Sequence, residues 1–277
     1  MTRRLLGVFA HPDDESFGPA GTLAVHSAAG VDVHIATTTD GAAGAPAPGY
    51  PDGDDLAAVR RSELQCAARR LGATLHHFAY RDSGYIGDPR NSDPRAFINV
   101  DAGDPTAELV ALIRDIRPDV VITHDENGGY HHPDHIRCHE VVRAAFDAAG
   151  DPAQFDDRGA PFAPARLYSE TMSNRWIRVA TRVMRLVGRD PTRFGVNHDV
   201  DLTRVGMDPG RITTRIDVRR GWVAKQAAAA CHLSQRGDVG PVNRVPAWVL
   251  ARVLPTESFI REVPAPWPGL RERSLFE

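Results

Sequence analysis

Histidine and aspartate side chains that could hold a metal ion are concentrated in two short segments of the sequence. Residues 10–15 read AHPDDE, and residues 130–135 read YHHPDH. A histidine and an aspartate three residues apart can converge on one cation where a strand ends, because the chain is leaving its extended geometry there. Two histidines around a Pro-Asp pair make a poor core segment, since all their ring nitrogens would need partners. Both segments therefore predict polar sites.

Each segment alone also has a simpler explanation. Asp14 could cap a helix beside a surface histidine, and one histidine-rich loop could arise by chance among 12 histidines. Together the segments supply a His, Asp, His set, which leaves an open position for water as in catalytic zinc sites. A magnesium site would need mostly oxygen ligands. The intervening Asp13 would be free to act as a base on a water molecule.

The elements that must position these segments follow from the hydrophobic pattern. Short apolar runs alternate with helical periodicity through the first 170 residues, which is typical of βαβ units and a parallel sheet. We predict strands at 4–10, 31–38, 74–80, 119–124 and 165–171, and helices at 18–29, 54–71, 103–116 and 133–149. Both polar segments would then follow the carboxyl end of a strand, where open parallel sheets bind ligands. The loops 40–53 and 82–102 also follow predicted strands, and two interpretations of them stay open: substrate loops at the same crevice or solvated surface loops.

The last hundred residues are less regular. A basic helical stretch runs from Arg175 to Arg189, residues 212–219 are expected to form a strand leading into a helix through Ala230, and a proline-rich tail from Pro246 is expected to wrap the surface. We predict one α/β domain over 1–277, with a Rossmann-like, mostly parallel sheet and helices on both faces. Its core would span 1–172 and a C-terminal elaboration 173–277.

Composition excludes several classes of function. The net charge is −3 and the arginines are dispersed among acidic residues, so nucleic acid is not an expected partner. No apolar run is long enough to span a membrane, and the first apolar stretch is too short for a signal peptide. The cysteines Cys66, Cys138 and Cys231 are widely separated, which argues against a disulfide framework and favours a cytoplasmic location. The sequence is compatible with a homo-oligomer.

Both segments match a known family pattern. The sequence resembles the LmbE-like (PIG-L) N-acetylglucosaminyl deacetylase family, whose hallmark motifs AHPDDE and HPDH occur here at 10–15 and 132–135. Further similarity to the bacterial branch, which includes the mycothiol-pathway deacetylase and amidase, lies in 127–130 (NGGY), 60–63 and 81–84 (RDSG). The resemblance covers about residues 4–172 and is weaker around Lys225 and 232–235 (HLSQ).

The resemblance implies a metal site and a general base. By position in the motifs, His11, Asp14 and His135 would bind Zn²⁺, with Fe²⁺ or Co²⁺ as alternative ions. Asp13 would take a proton from the zinc-bound water, which then attacks the carbonyl of an acetamide. The expected reaction releases acetate and a free amine from a small N-acetylglucosamine-type sugar.

Further roles are also implied only by the resemblance. His132 would act as an imidazolium that assists the oxyanion or the leaving amine, and Asp134 would orient it. Tyr130 would polarise the carbonyl, while Arg60 and Asp82 would contact the sugar.

One departure from the family pattern concerns the substrate. The mycothiol-type members carry an acidic Gly-Glu-Glu-Gly segment after the second strand, whereas residues 41–46 here read GAAGAP. The aglycone is therefore left open. The alternatives are an amidase for a larger N-acyl or conjugated amino sugar, a metal- or sugar-binding protein without turnover, and a cofactor-binding Rossmann protein. This sequence has no Gly-x-Gly-x-x-Gly turn after the first strand, which argues against a cofactor-binding Rossmann protein. Asp13 beside the ligands argues against a protein that only binds.

Overall fold

A computed structural model describes residues 2–194, 200–235 and 245–277, with the side chain of Trp176 left out. The strands are β1 Arg4–Phe9, β2 Asp32–Thr39, β3 Thr74–Tyr80, β4 Val120–Thr123, β5 Arg166–Thr171, β6 Thr214–Asp217 and β7 Thr256–Val263. The helices are α1 Asp14–Phe17, α2 Ala20–Ala28, α3 Gly53–Leu71, α4 Gly103–Ile116, α5 Gly128–His131, α6 Pro133–Ala149, α7 Asn174–Leu186, α8 Trp222–Ala229 and α9 Ala247–Val253. Short 3₁₀ turns lie at Pro89–Ser92 and Leu233–Gln235.

The strands form one seven-stranded sheet in the order β3-β2-β1-β4-β5-β7-β6. The first five strands in this order are parallel, and β7 pairs antiparallel with both β5 and β6. The direction of strand addition reverses between β1 and β4. Ligands of open α/β sheets bind outside the carboxyl ends of the strands at such a reversal, and both polar segments begin there.

Two apolar clusters lie on opposite faces of the sheet. Along β1, Leu5 and Phe9 pack into a cluster with residues of α2, α3 and α8, whereas Leu6 and Val8 pack into a second cluster with residues of α4 and α6. Because β1 is covered on both faces, its sequence is a continuous apolar run rather than an alternating one. The predicted mostly parallel sheet with helices on both faces is confirmed.

Most predicted elements match the observed ones within a few residues. Gly72 ends α3 in the left-handed conformation, with φ of 66°, as expected for a helix C-terminal glycine. The predicted strand at 212–219 is β6, followed by α8. Among the described residues, no helix is long and apolar enough to cross a membrane.

Two predictions for the C-terminal part and the cysteines are wrong. The tail after Pro246 does not only wrap the surface, because it forms α9 and then β7, which lies inside the sheet. Cys66 on α3 and Cys231 just after α8 form a disulfide, and only Cys138 is a free cysteine in the described chain. The pairing escapes sequence analysis because 165 residues separate the two cysteines, while α3 packs directly against α8. The proposed boundary at residue 172 stays a prediction, although β6 and β7 extend the same sheet.

Candidate active site

The predicted metal ligands meet at the carboxyl ends of β1 and β4. His11 and Asp14 follow β1, and His135 lies in the first turn of α6. The His11 Nδ1 atom lies 3.1 Å from His135 Nε2 and 3.5 Å from Asp14 Oδ2. Asp14 Oδ1 lies 3.4 Å from His135 Nε2. Tetrahedral zinc with bonds of about 2.0–2.1 Å requires ligand atoms about 3.3 Å apart, so these three side chains fit such an ion.

The ionisation of these side chains also suits a cation. Burial would raise the pKa of Asp14, but His135 and His124 hold that pKa well below its ordinary value, so the carboxylate is charged. Burial lowers the pKa of His135, which keeps its ring neutral. Although burial opposes protonation of His11, the surrounding carboxylates raise the pKa of His11 well above its ordinary value. The cluster thus holds a positive charge on His11, in the place where a metal ion would supply one.

Carboxylates orient His11 from its other side. His11 Nε2 lies 3.3 Å from Asp134 Oδ2 and 3.6 Å from Asp82 Oδ1. Ser83 fixes the Asp134 carboxylate through its backbone N–H, at 2.9 Å, and its hydroxyl, at 2.5 Å. A carboxylate on the far nitrogen of a metal-binding histidine fixes the tautomer and strengthens the ligand.

The predicted pairing of Asp134 with the ring of His132 is wrong. The Asp134 carboxylate faces His11 and Ser83, and it is the Asp134 backbone N–H that donates to His132 Nδ1, at 3.2 Å. The reason is helical geometry, because His132 is the N-cap of α6 and accepts from the second residue of the helix. The His132 Nε2 atom then carries the ring proton and can donate.

His132 lies beside the metal ligands. Its ring centroid is 4.5 Å from that of His11, and ligating atoms of His11, His132 and His135 all lie within 4.8 Å of one another. Burial lowers the pKa of His132 to about 3, and the charge of His11 adds to this effect. The expected imidazolium is therefore not the resting form, and His132 is a neutral hydrogen-bond donor.

Asp13 lies between the ligands in an unusual backbone conformation. Its φ of 140° and ψ of −24° fall outside the common regions for a non-glycine residue, at a cost of about 1–3 kcal/mol. The Asp13 N–H donates to Glu15 Oε2 at 3.0 Å. Burial raises the pKa of Asp13 to about 7, against the opposing charge of Arg60. A base is most effective when its pKa lies near the working pH.

Arg60 of α3 holds the Asp13 carboxylate. Its Nη2 atom lies 2.9 Å from Asp13 Oδ2 and donates to Pro12 O at 2.7 Å, and its Nη1 atom donates to Gly41 O at 2.7 Å. A Cβ atom at Gly41, where φ is +71°, would come within 2.9 Å of the guanidinium. Gly41, which the Gly-Glu-Glu-Gly pattern shares, thus leaves room for Arg60 where the loop passes over it, and the loop differs from that pattern at Ala42 and Ala43.

Arg60 and Asp82, the two predicted sugar-contacting residues, are both about 3% exposed. The Asp82 carboxylate accepts from Gly84 N at 2.9 Å and from Ala43 N at 3.2 Å, which ties it to both flanking loops. The side chains of Arg60 and Asp82 thus bind other residues of the site. Direct contact of either side chain with the sugar stays a prediction.

Tyr130 lies beside the ligand candidate His135. Its ring lies 5.3 Å from that of His135 and is stacked on Tyr85 at 5.8 Å. The Tyr85 hydroxyl donates to the backbone carbonyl of Tyr130 at 3.0 Å. Burial raises the pKa of Tyr130 well above its ordinary value, so the hydroxyl keeps its proton and can donate to a carbonyl oxygen.

Sequence reasoning missed His124 and Glu170. His124 follows β4 and stacks on His135 with ring centroids 4.0 Å apart. The backbone N–H of Ala10 donates to its Nε2 at 3.0 Å, and its Nδ1 lies 3.2 Å from Glu170 Oε1. The available signal was position, since His124 directly follows β4 at the carboxyl edge of the sheet and Glu170 lies near the end of β5.

The chain is similar to known proteins in sequence and in fold. A family model described as GlcNAc-PI de-N-acetylase (PIG-L) matches residues 6–146. The chain is 38% identical over 291 residues to a protein of Acidothermus cellulolyticus named 1D-myo-inositol 2-acetamido-2-deoxy-alpha-D-glucopyranoside deacetylase, with 100% of this chain and 95% of the relative covered.

Solved structures extend the likeness to the fold alone. The N,N'-diacetylchitobiose deacetylase from Pyrococcus horikoshii matches with a TM-score of 0.64 at 20% identity, covering 96% of this chain and 84% of that one. The 4-carboxy-2-hydroxymuconate hydratase from Pseudomonas putida KT2440 matches with a TM-score of 0.63 at 17% identity, covering 97% and 100%. Because one fold carries both reactions, the reaction must be argued from the site. The family model matches half of the chain, and the relative from Acidothermus cellulolyticus is similar over the full length. The chain therefore belongs to the PIG-L family of GlcNAc-PI de-N-acetylases.

Proposed function

We propose that this protein is a zinc-dependent hydrolase that removes the acetyl group from an N-acetylglucosamine-type sugar. The observation that carries the proposal is the convergence of His11, Asp14 and His135, with the partly buried carboxylate of Asp13 beside them. This donor set of two nitrogens and one oxygen is the one that catalytic zinc sites use with an open position. When bound, zinc would polarise the amide carbonyl and ease the deprotonation of water.

The protein's own groups would then divide the remaining work. Asp13 takes a proton from the attacking water as the new C–O bond forms at the amide carbon. The Nε2–H of His132 and the hydroxyl of Tyr130 donate hydrogen bonds to the carbonyl oxygen as negative charge develops there. Asp13 returns its proton to the amine nitrogen as the C–N bond breaks, so that acetate and a free amine leave. Asp82 and Asp134 hold His11, and Arg60 holds Asp13.

The substrate of the curated relatives is the first candidate for this chain. The name of these relatives specifies an N-acetylglucosamine joined to myo-inositol. We propose the same class of substrate, an N-acetylglucosaminide with a small polar aglycone. Loop residues 41–44, which carry no acidic side chain, form the part of the site where the aglycone preference is expected to differ.

A substrate panel tests this proposal. Free amine is measured after incubation with N-acetylglucosaminyl-inositol, N-acetylglucosamine and the same inositol glycoside carrying a bulky N-acyl group. Deacetylation of the first compound at a higher kcat/KM than the third supports the proposal. A preference for the bulky amide would make the protein an amidase for conjugated amino sugars, and amine release from none of the three would contradict the proposal.

Two further points belong to the proposal. A cytoplasmic location is kept as a prediction, although the Cys66–Cys231 disulfide would be unusual there. Thiol trapping in intact cells would test both together. A homo-oligomeric state also stays a prediction, which light scattering would measure.

A further inference from the structure

A fully buried histidine and glutamate lie behind Asp13, and the mechanism above does not use them. The His232 Nε2 atom is 2.8 Å from Glu15 Oε1, and neither side chain has exposed surface. His232 Nδ1 has no hydrogen-bond partner within the described ranges. The side chain of His232 thus makes its polar contact in one direction, toward Glu15.

Glu15 connects this histidine to the backbone of the proposed base. Its Oε1 atom also accepts from the Ser16 hydroxyl at 2.6 Å, and its Oε2 atom accepts from the backbone N–H of Asp13 at 3.0 Å. Because a φ of 140° is strained, the Asp13 backbone needs fixed partners to keep this conformation. Arg60 binds the Pro12 carbonyl of the Pro12–Asp13 peptide, and Glu15 is the partner of the N–H of that peptide. A buried carboxylate must itself be paired to persist in the core, and His232 is that pair.

Helix α3 holds both ends of this arrangement. Cys231, next to His232 in the chain, is bonded to Cys66 of α3. Ser234 donates through its backbone N–H, at 2.8 Å, and its hydroxyl, at 2.7 Å, to Glu63 of α3. The same helix carries Arg60, which contacts the Asp13 carboxylate directly. One helix therefore holds the Asp13 carboxylate and the carbonyl of the Pro12–Asp13 peptide through Arg60. The same helix holds the segment 231–234, from which His232 reaches Glu15, the partner of the N–H of that peptide.

We propose that His232 is a positioning residue for Asp13, acting through Glu15 to hold the Asp13 peptide in the conformation that aims its carboxylate at the reacting water. This inference rests on the proposed role of Asp13 as the base. Displacing a catalytic group by about 1 Å typically costs about 10²-fold in rate. The effect should therefore appear in kcat, while the metal ligands and the surfaces that bind substrate are unchanged.

A double-mutant cycle between His232 and Asp13 tests the proposal. We expect His232→Leu to lower kcat about 10²-fold on N-acetylglucosaminyl-inositol, with KM and zinc content per chain within about twofold of the wild type. His232→Gln, whose amide can still donate to Glu15, should retain kcat within about fivefold. In an Asp13→Asn background, His232→Leu should change the residual kcat by less than about twofold, because the group that it positions is gone. His26→Gln is the matched control, since His26 is a partly buried histidine of α2 bonded to Thr22 O.

The possible outcomes separate this inference from the proposed function. A wild-type protein that releases no amine contradicts the function itself. If the wild type is active, an unchanged kcat in His232→Leu overturns the positioning role, and so does an equal loss in both backgrounds or a loss of zinc. If His232→Leu does not fold, as judged by circular dichroism, Glu15→Gln replaces it in the cycle. Asp13 and His232 contact different oxygens of Glu15, and in the variant an NH2 group replaces one of them, so the same dependence on Asp13 is expected, and an equal loss in both backgrounds overturns the proposal.

Discussion

The His11 Nδ1 atom faces His135 Nε2 at 3.1 Å, while the other nitrogen of His11 faces the carboxylate of Asp134. His11 Nδ1 and His135 Nε2 can hold at most one proton between them, and the Asp14 carboxylate adds a negative charge beside both nitrogens. Such an arrangement is satisfied either by a proton on His11 or by a cation between the three side chains. The metal therefore competes with a proton for one position.

Zinc binding should consequently release protons. The pKa of His11 lies well above its ordinary value, because the carboxylates around it outweigh the effect of burial, so the metal-free protein carries this proton at pH 7. We expect about one proton released per zinc at pH 7. Isothermal titration calorimetry in buffers of different ionisation enthalpy measures the number. Binding without proton release would mean that His11 is neutral before the metal arrives.

Asp13→Asn should stabilise the metal-free protein in a pH-dependent way. The pKa of Asp13 is raised to about 7 in the folded protein, against about 3.9 in an unfolded chain. The folded state therefore binds this proton more tightly, and its stability falls as the pH rises from about 4 to about 7. Asparagine does not titrate. The Tm of the variant minus that of the wild type should thus rise over this interval and level off above pH 7.

Thermal unfolding of both metal-free proteins between pH 4 and pH 8 measures this difference. A difference that falls with rising pH would show that the ion pair with Arg60 outweighs the cost of burying the charge.

In the zinc-loaded enzyme the same substitution should lower kcat by about 10²–10⁴-fold, the usual contribution of a general base.

Replacing His132 should reduce the rate without moving the pH profile. Burial and the charge of His11 lower the pKa of His132 to about 3, so its proton on Nε2 is present across the working range as a neutral donor. We expect His132→Ala to lower kcat by about 10²–10³-fold, the usual cost of removing an oxyanion donor, and to leave the alkaline limb of kcat/KM in place. Rate measurements from pH 5 to pH 10 test this expectation. An alkaline limb that flattens in the variant would contradict it, because His132 would then act as an imidazolium.

The disulfide makes a separate prediction about thiols and stability. Protein purified without reductant and then unfolded should react with one equivalent of a thiol reagent, from Cys138, and with three after reduction. Reduction or Cys66→Ser should lower the free energy of unfolding by about 2–4 kcal/mol, measured by urea titration. Three reactive thiols before reduction would exclude the disulfide in solution.

Local sequence patterns predicted the sheet core and the position of the AHPDDE segment at a strand end, because both depend on short-range features. The apolar runs at β1 and β4 mark the buried central strands. The polar residues directly after each run lie where the direction of strand addition reverses. The β7 strand was missed because prolines flank it and because Arg261 forms a buried ion pair with Glu272. In a hydrophobicity pattern, a charged residue predicts an exposed position even where the structure buries it.

Relationships between distant segments could not be predicted in the same way. The partner of the Asp134 carboxylate is Ser83, 51 residues earlier, and the partner of Glu15 is His232, 217 residues later. Both depend on how loops pack across the sheet edge, which no periodicity encodes. Position at a strand end was the usable signal for His124.

The most direct test of the account is amine release from N-acetylglucosaminyl-inositol by the same preparation before metal removal, after chelation to near-zero metal content, and after reloading with zinc. We expect full loss of turnover on chelation and recovery with about one zinc per chain, while His135→Ala neither retains zinc nor recovers. Undiminished turnover by the verified metal-free protein would contradict the central claim that His11, Asp14 and His135 hold a catalytic metal ion.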